Sequence, residues 1–297
     1  MHARRPFKLG LLAAVCAAVV AAAGAGPAPA ADPGRWIETG HSDVPLEYFQ
    51  GVASKPNKTL FFDGLFVGLY RTDRDLVETG RVPNVIPPEV LTTEGYSHIG
   101  DITWDNHDGG RVILPLECFS ALICRHGAFG VADPDTLAWR YYVNLDTRFI
   151  DKAMWAAESP DHRFVWTSSG SGKDLLAYRT RDINPDNAGP DGPKLKPVRR
   201  IVNAVPPSGV TGGAFYKGRL LLAGQDTGPF QVWSIDLTDG SRRLEIERHW
   251  IGESEGLDLV KTAGGELHWL VTPFKSGGEP PTFGNGHSAL VNFIPAK

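Results

Sequence analysis

GVTGGAFYKGRLLLAGQDTGPFQVWSIDLTDGSRRLEIERHW, residues Gly209–Trp250, decides the fold. VTGGAFY reads as an apolar strand opening on small residues, and KG as a turn. RLLLAGQ is a second strand, DTGP a turn, FQVWSIDL a third strand, TDGS a turn and RRLEIERHW a fourth strand. Four strands in roughly forty residues, joined by tight Gly/Asp/Pro turns, are the unit of a β-propeller blade.

The same grammar extends in both directions. Lys152–Val202 holds AMWAAES, RFVWTSS, LLAYRTRDI and VRRIV, with a Pro/Gly/Asp-rich insert from Asn184 to Pro197 expected as a solvated loop. Tyr96–Asp146 holds GDITWD, RVILPLE, FGVADPD and TLAWRYYVNL, and Phe49–Val82 holds QGVAS, KTLFFDG, FVGLYRTD and DLVETGRV. Glu255–Pro295 supplies EGLDLVK, ELHWLVTPF and HSALVNFIP but no fourth strand, while RWIETGH at Arg35–His41 is a spare. The expected fold is therefore all-β: a single propeller over residues 31–297, closed by the segment Arg35–Gly40 pairing with the last blade. Five blades fit the count, or six if a degenerate blade hides between Asn84 and Tyr96. No long stretch has apolar residues at helical period. Trp104, Trp139, Trp155, Trp166, Trp233, Trp250 and Trp269 fall in strands and are expected between blades.

Residues 1–30 read as an export signal. Arg4, Arg5 and Lys8 precede an apolar stretch from Leu9 to Gly26, and Ala28-Pro29-Ala30 is a cleavage pattern. The paired arginines leave both general secretion and twin-arginine export open. The expected product is a secreted monomer, extracellular or periplasmic, with no membrane segment after cleavage. Cys118 and Cys124, six apart in an oxidising compartment, are expected to form a disulfide. Net charge is −4 with mixed signs and no basic stripe, which argues against nucleic acid as a partner.

The openings Gly100-Asp101-Ile102, Gly212-Gly213-Ala214 and Glu255-Gly256-Leu257, with turns such as Ser159-Pro160-Asp161, resemble the broad superfamily of exported bacterial β-propellers over the whole mature chain. The resemblance implies architecture and maps no catalytic set.

Aligning the blades on Gly51, Gly100, Met154, Gly212 and Gly256 gives a ring around the channel, flanked by Gln50, His98, Lys152, Thr211 and Glu255. Asp101 lies one step deeper, with Asp151 and Glu253 at the rim. Small residues let inner strands converge on the axis. Asp101 and Glu255 are candidate Ca²⁺ ligands, and Ca²⁺ is the one cofactor the sequence suggests. His98 with Glu255 is a candidate catalytic acid–base pair. Inner-strand Asp and His can equally brace their neighbours. Loops on the same end add Arg125, His126, Phe283 and His287, with Lys173 and Asp226 in shorter ones; long loops gathered on one face carry function. Three functions remain open. One is binding of an extracellular small molecule, glycan or peptide by Gln50, Asp101, Lys152, Thr211, Arg125, His126 and His287. Another is a hydrolase or lyase using His98 and Glu255, and the last is a protein-interaction scaffold.

Overall fold

The computed structural model describes residues 36–296, apart from 58, 65–66, 119–125, 226–227, 261–263 and 276–285. Residues 1–30, Cys124, Arg125, Asp226 and Phe283 lie outside the described residues.

The strands form five antiparallel sheets, one per blade. The chain opens with β1 (Trp36–Val44), which belongs to the last blade. Blade 1 is β2 (Gly51–Ser54), β3 (Leu60–Asp63), β4 (Leu69–Thr72) and β5 (Glu78–Val82). Helix α1 (Pro88–Thr93) follows. Blade 2 is β6 (His98–Ile99) with β7 (Thr103–Asp105) as a split inner strand, then β8 (Arg111–Glu117), β9 (Ala128–Ala132) and β10 (Trp139–Asn144). Blade 3 is β11 (Ala157–Glu158), β12 (Phe164–Ser168), β13 (Leu175–Arg179) and β14 (Arg199–Ile201). Blade 4 is β15 (Gly212–Tyr216), β16 (Arg219–Gly224), β17 (Phe230–Ile235) and β18 (Arg242–Arg248). Blade 5 is β19 (Ile251–Val260), β20 (Glu266–Lys275), β21 (His287–Pro295) and then β1. The end of the channel where the inner strands begin is called upper.

Composition tracks position within a blade. Second strands are covered on both faces by neighbouring blades, so LFFD and RVILPLE are buried throughout and read as continuous apolar runs. Outermost strands face water, and ETGRV is accordingly polar and exposed. Tryptophans fill the seams: Trp155 and Trp166 pack with Leu220, Leu222 and Ile235 between blades 3 and 4, and Trp269 packs with Phe230 and Phe293. The turn between β15 and β16 places Lys217 and Gly218 at φ 46° and 79°, the paired left-handed conformation that matches strand twist in a two-residue hairpin.

Two expectations are corrected. The segment from Asn84 to Tyr96 holds no sixth blade. It carries α1, with Val85, Ile86 and Val90 buried in the seam between blades 1 and 2. The insert at Asn184–Pro197 is not simply solvated. Gly189 N donates to Tyr142 O (3.0 Å), Leu195 N to Asn144 O (2.8 Å), and Asp146 N to Leu195 O (2.9 Å), so the insert lies along the outer edge of blade 2.

Closure follows the expected scheme and extends beyond it. β1 pairs with β21 from Trp36↔Pro295 to Val44↔Ser288, with a bulge between Glu38 and Gly40. Trp36 is buried, its ring centroid 4.8 Å from that of Tyr216 in blade 4, and Glu38 accepts from Arg248 Nε at 2.8 Å. The N-terminal strand thus binds both blade 5 and the seam beside it. Trp36→Ala should lower unfolding free energy by about 3 kcal/mol or more, the cost of truncating a buried aromatic. Chemical denaturation measures it; a loss under about 1 kcal/mol would contradict closure by this strand.

Candidate functional site: the axis of the propeller

Asp101 sits on the axis, almost wholly buried. Its Oδ1 accepts from Val52 N in blade 1 (3.1 Å). Its Oδ2 accepts from Gly213 N in blade 4 (3.0 Å) and Leu257 N in blade 5 (3.2 Å). Its backbone pairs with blade 3: Asp101 N donates to Met154 O (3.0 Å) and Ala156 N donates to Asp101 O (2.9 Å). One residue of blade 2 therefore bonds to the other four blades. The glycine ring lets the inner strands approach one another and Asp101 closely. A Cβ on Gly51 would stand 2.8 Å from Asp101 Cα, and one on Gly256 would stand 2.7 Å from Oδ1. Burial drives the Asp101 carboxyl well above the usual range, against the pull of the three N–H groups. With both oxygens accepting from backbone donors of three other blades, Asp101 braces the ring.

Above Asp101 the channel is acidic. Asp63 ends β3 opposite Gly51 and is fully buried, and neither carboxyl oxygen has a hydrogen-bond partner among the described residues. Burial raises its pKa strongly, and the charge of Asp101 adds to the effect. Glu255 is buried beside it. Burial again raises its pKa first, followed by the charges of Glu253 and Asp63 and a hydrogen bond with Glu253. Isolated buried carboxylates are costly, so such groups take up protons or a cation.

A second polar group joins blades 2 and 3. Glu117 ends β8 opposite His98. Its Oε1 lies 2.8 Å from His98 Nδ1 and its Oε2 3.2 Å from Lys152 Nζ. Although burial works the other way, these two partners hold the Glu117 carboxyl below its ordinary pKa. His98 and Lys152 thus come together as expected, but through Glu117 rather than through Glu255 or Asp101.

The solved structures that resemble this chain are now informative about fold. No protein-family model matches the chain, and no curated protein matches it. A glutaminyl cyclase from Myxococcus xanthus aligns over 88% of this chain and 97% of its own, at 10% identity and TM-score 0.54. A gluconolactonase from Xanthomonas campestris aligns over 91% and 99%, at 14% identity and TM-score 0.47. A PQQ-bound aldose sugar dehydrogenase from Streptomyces coelicolor aligns over 89% and 100%, at 14% identity and TM-score 0.45. The shared fold is that of bacterial β-propellers. At these identities the likeness speaks of fold alone.

The other candidates separate. Gln50 is buried at the upper mouth, its N–H donating to Asp63 O at 3.1 Å. Thr211 Oγ1 donates to Glu255 O and lies 3.0 Å from Ser254 Oγ, binding blade 4 to blade 5 beside the acidic group. His126 Nε2 lies 3.7 Å from Glu94, its ring edge-on to Tyr96, whose hydroxyl donates to Asn144 at 2.6 Å. His287 Nε2 lies 2.9 Å from Asp43 on β1, away from the inner strands. Lys173 lines a separate groove of about 510 Å³ between blades 3 and 4, with Ser169, Gln225 and Arg242. Cys118 packs against the seam of blades 1 and 2, and its expected partner Cys124 is outside the described residues. Sequence reasoning missed Asp63 and Glu117. The available signal was an acid closing an apolar second strand, LFFD and RVILPLE, directly opposite an inner-strand opening.

The raised carboxyls have a pH signature. Above about pH 4, Asp63, Glu255 and Asp101 hold protons in the folded state that the unfolded chain has released, so stability falls as pH rises toward their folded values. Glu117 and Asp151, whose pKa values are lowered, act oppositely and lose their contribution below about pH 4. In chelator, the melting temperature should be higher near pH 5 than near pH 8, and Asp63→Asn should flatten that slope. A wild-type melting temperature that climbs from about pH 5 to 8 would contradict the assignment.

Proposed function

We propose that this protein is an exported binding protein whose upper funnel takes a cation, with Asp63 and Glu255 as its counter-charges. The cation is either Ca²⁺ or the protonated amine of a small molecule, glycan or peptide. The observation that carries this reading is the Asp63 carboxyl, wholly buried on the axis with both oxygens unpaired among the described residues. A cation arriving there releases the protons of Asp63 and Glu255 and converts two costly buried acids into a paired site. Among the described residues, no group of three His, Cys, Asp or Glu ligand atoms within 4.8 Å of one another includes Asp63 or Glu255. A Ca²⁺ here would complete its shell with carbonyls and water. An ammonium head, with longer donor–oxygen distances, tolerates wider spacing. The Glu117–Lys152–His98 group beside the funnel offers donors to hydroxyl or carboxylate groups on the rest of the ligand.

A hydrolase or lyase is the second reading, favoured by one contact. Glu117 holds His98 Nδ1 at 2.8 Å, as a carboxylate orients an imidazole for proton transfer at its other nitrogen. In this reading His98 is the acid–base residue, Glu117 its positioning residue, and Glu255 the charge that faces the substrate.

Calorimetric titration of CaCl₂, glucosamine and glycinamide into wild type, Asp63→Asn and Glu255→Gln distinguishes the sources of positive charge. One probe should bind wild type and lose about tenfold or more in affinity in both variants, about 1.4 kcal/mol. Equal affinity in folded wild type and variants, or no binding by any of the three cations, would refute the cation funnel.

A further inference from the structure

The lower mouth of the channel carries a different constellation, supplied by equivalent turns of adjacent blades. Asp105 ends β7, and His107 follows in a short 3₁₀ turn. Glu158 ends β11, and His162 follows in a turn closed by His162 N donating to Ser159 O at 2.8 Å. His107 Nδ1 lies 2.7 Å from Asp105 Oδ1 and 3.9 Å from Glu158 Oε1, and His162 Nδ1 lies 2.7 Å from Glu158 Oε2. The ligand atoms of Asp105, Glu158 and His162 all lie within 4.8 Å of one another. The Asp105 side chain is fully buried and that of Glu158 is 5% exposed, whereas the imidazoles are about one-third exposed, at 36% and 33%. The carboxylates are thus set inside and the histidines at the opening.

Two further observations point to a ligand. The cluster borders a cavity of about 100 Å³ below Asp101, lined by all five blades, with Ser54, Trp104, Glu158, His162, Phe215 and Asp258 among its walls. Asp258, on that lining, has a buried Oδ2 with no hydrogen-bond partner among the described residues. The feature is also not required by the blade. The corresponding turns of blades 1, 4 and 5 read KPNKT, KG and KTAGG, with no His, Asp or Glu.

The geometry points to a zinc-class divalent metal held by Asp105, Glu158 and His162, with His107 beside it and an open position facing the cavity. Imidazole with carboxylate suits zinc and its neighbours, whereas Ca²⁺ and Mg²⁺ favour all-oxygen shells. Bonds of 2.0–2.1 Å in a tetrahedron set neighbouring ligands about 3.4 Å apart. The three ligand atoms lie within 4.8 Å of one another, with His162 Nδ1 2.7 Å from Glu158 Oε2, so small side-chain movements would bring them to that spacing. Each imidazole would present Nδ1 to the metal, with its single proton carried on Nε2. Arg111 completes the arrangement from behind. It holds Asp105 through Nε and is anchored by Tyr141 Oη (2.8 Å), Thr180 O (3.0 Å) and Ile183 O. Such an outer partner fixes a ligand's orientation and keeps it charged. The orphaned Asp258 oxygen would then meet water or a small ligand on the metal's open side. This site is independent of the cation funnel, on the other side of Asp101.

The full chain, stripped with chelator, is titrated with Co²⁺ followed by visible absorption and with Zn²⁺ against a chromogenic chelator. Wild type should bind one equivalent, with Co²⁺ bands of four- or five-coordinate geometry. His162→Ala and Glu158→Gln should each weaken binding at least tenfold, and Asp63→Asn should leave it unchanged. Circular dichroism establishes that each protein is folded, and His162→Gln replaces any Ala variant that is not. Absence of stoichiometric binding by folded wild type would overturn the proposal. So would wild-type affinity in both folded lower-mouth variants, or a loss of Zn²⁺ binding confined to Asp63→Asn.

Discussion

A propeller ring can splay at its centre, because each blade's hydrogen bonds run within the blade and only side-chain packing joins it to the next. In this protein one carboxyl residue on the axis bonds to all four other blades. Asp101 takes N–H bonds from blades 1, 4 and 5 and exchanges backbone bonds with blade 3. Leaving three such donors buried and unpaired would be expensive. The remaining features of the axis follow from this contact. Inner strands must approach closely enough for their amides to reach the carboxylate, so Gly51, Gly212 and Gly256 stand where a Cβ would collide with Asp101. The channel is also divided in two, with separate chemistry above and below the brace.

The division explains the contrast between the two mouths. Above Asp101, burial pushes the Asp63 and Glu255 carboxyls up, as it does that of Asp101 itself. Below it, Asp105 has Arg111 and His107, and despite burial its carboxyl is held down to about 2 by Glu158, Arg111 and His107. The same residue type is thus tuned in opposite directions on one axis. The upper acids are set among one another, whereas the lower ones are set beside Arg111 and two imidazoles.

Much of the architecture was legible because a blade repeats local rules. KG at 217–218 and the strands around it announce a hairpin, and the missing fourth strand of the last blade points to β1. The glycine ring was legible as convergence on the axis, but its cause was not. Nothing in the local sequence of Asp101 says that amides more than a hundred residues away, at Gly213 and Leu257, converge on it. The split between bracing and binding among Asp101, Glu255 and Asp63 depends on which oxygens are already occupied, a property of the assembled ring. His107 and His162 were passed over because each sits in an ordinary turn, and only the stacking of blade 2 on blade 3 brings the two turns together. His287 borders a long loop, and the register of β21 with β1 places it beside Asp43, a neighbour that its own loop does not reveal.

The most direct test of the brace is amide hydrogen exchange, resolved by residue, in wild type and Asp101→Asn. Asparagine keeps the shape but offers one acceptor oxygen and turns an NH₂ group toward the N–H donors. The account predicts that the amides of Val52, Gly213 and Leu257, in three different blades, are strongly protected in wild type and lose protection together in the variant. Wild-type protection at those three amides in Asp101→Asn, with faster exchange confined to blade 2, would contradict it.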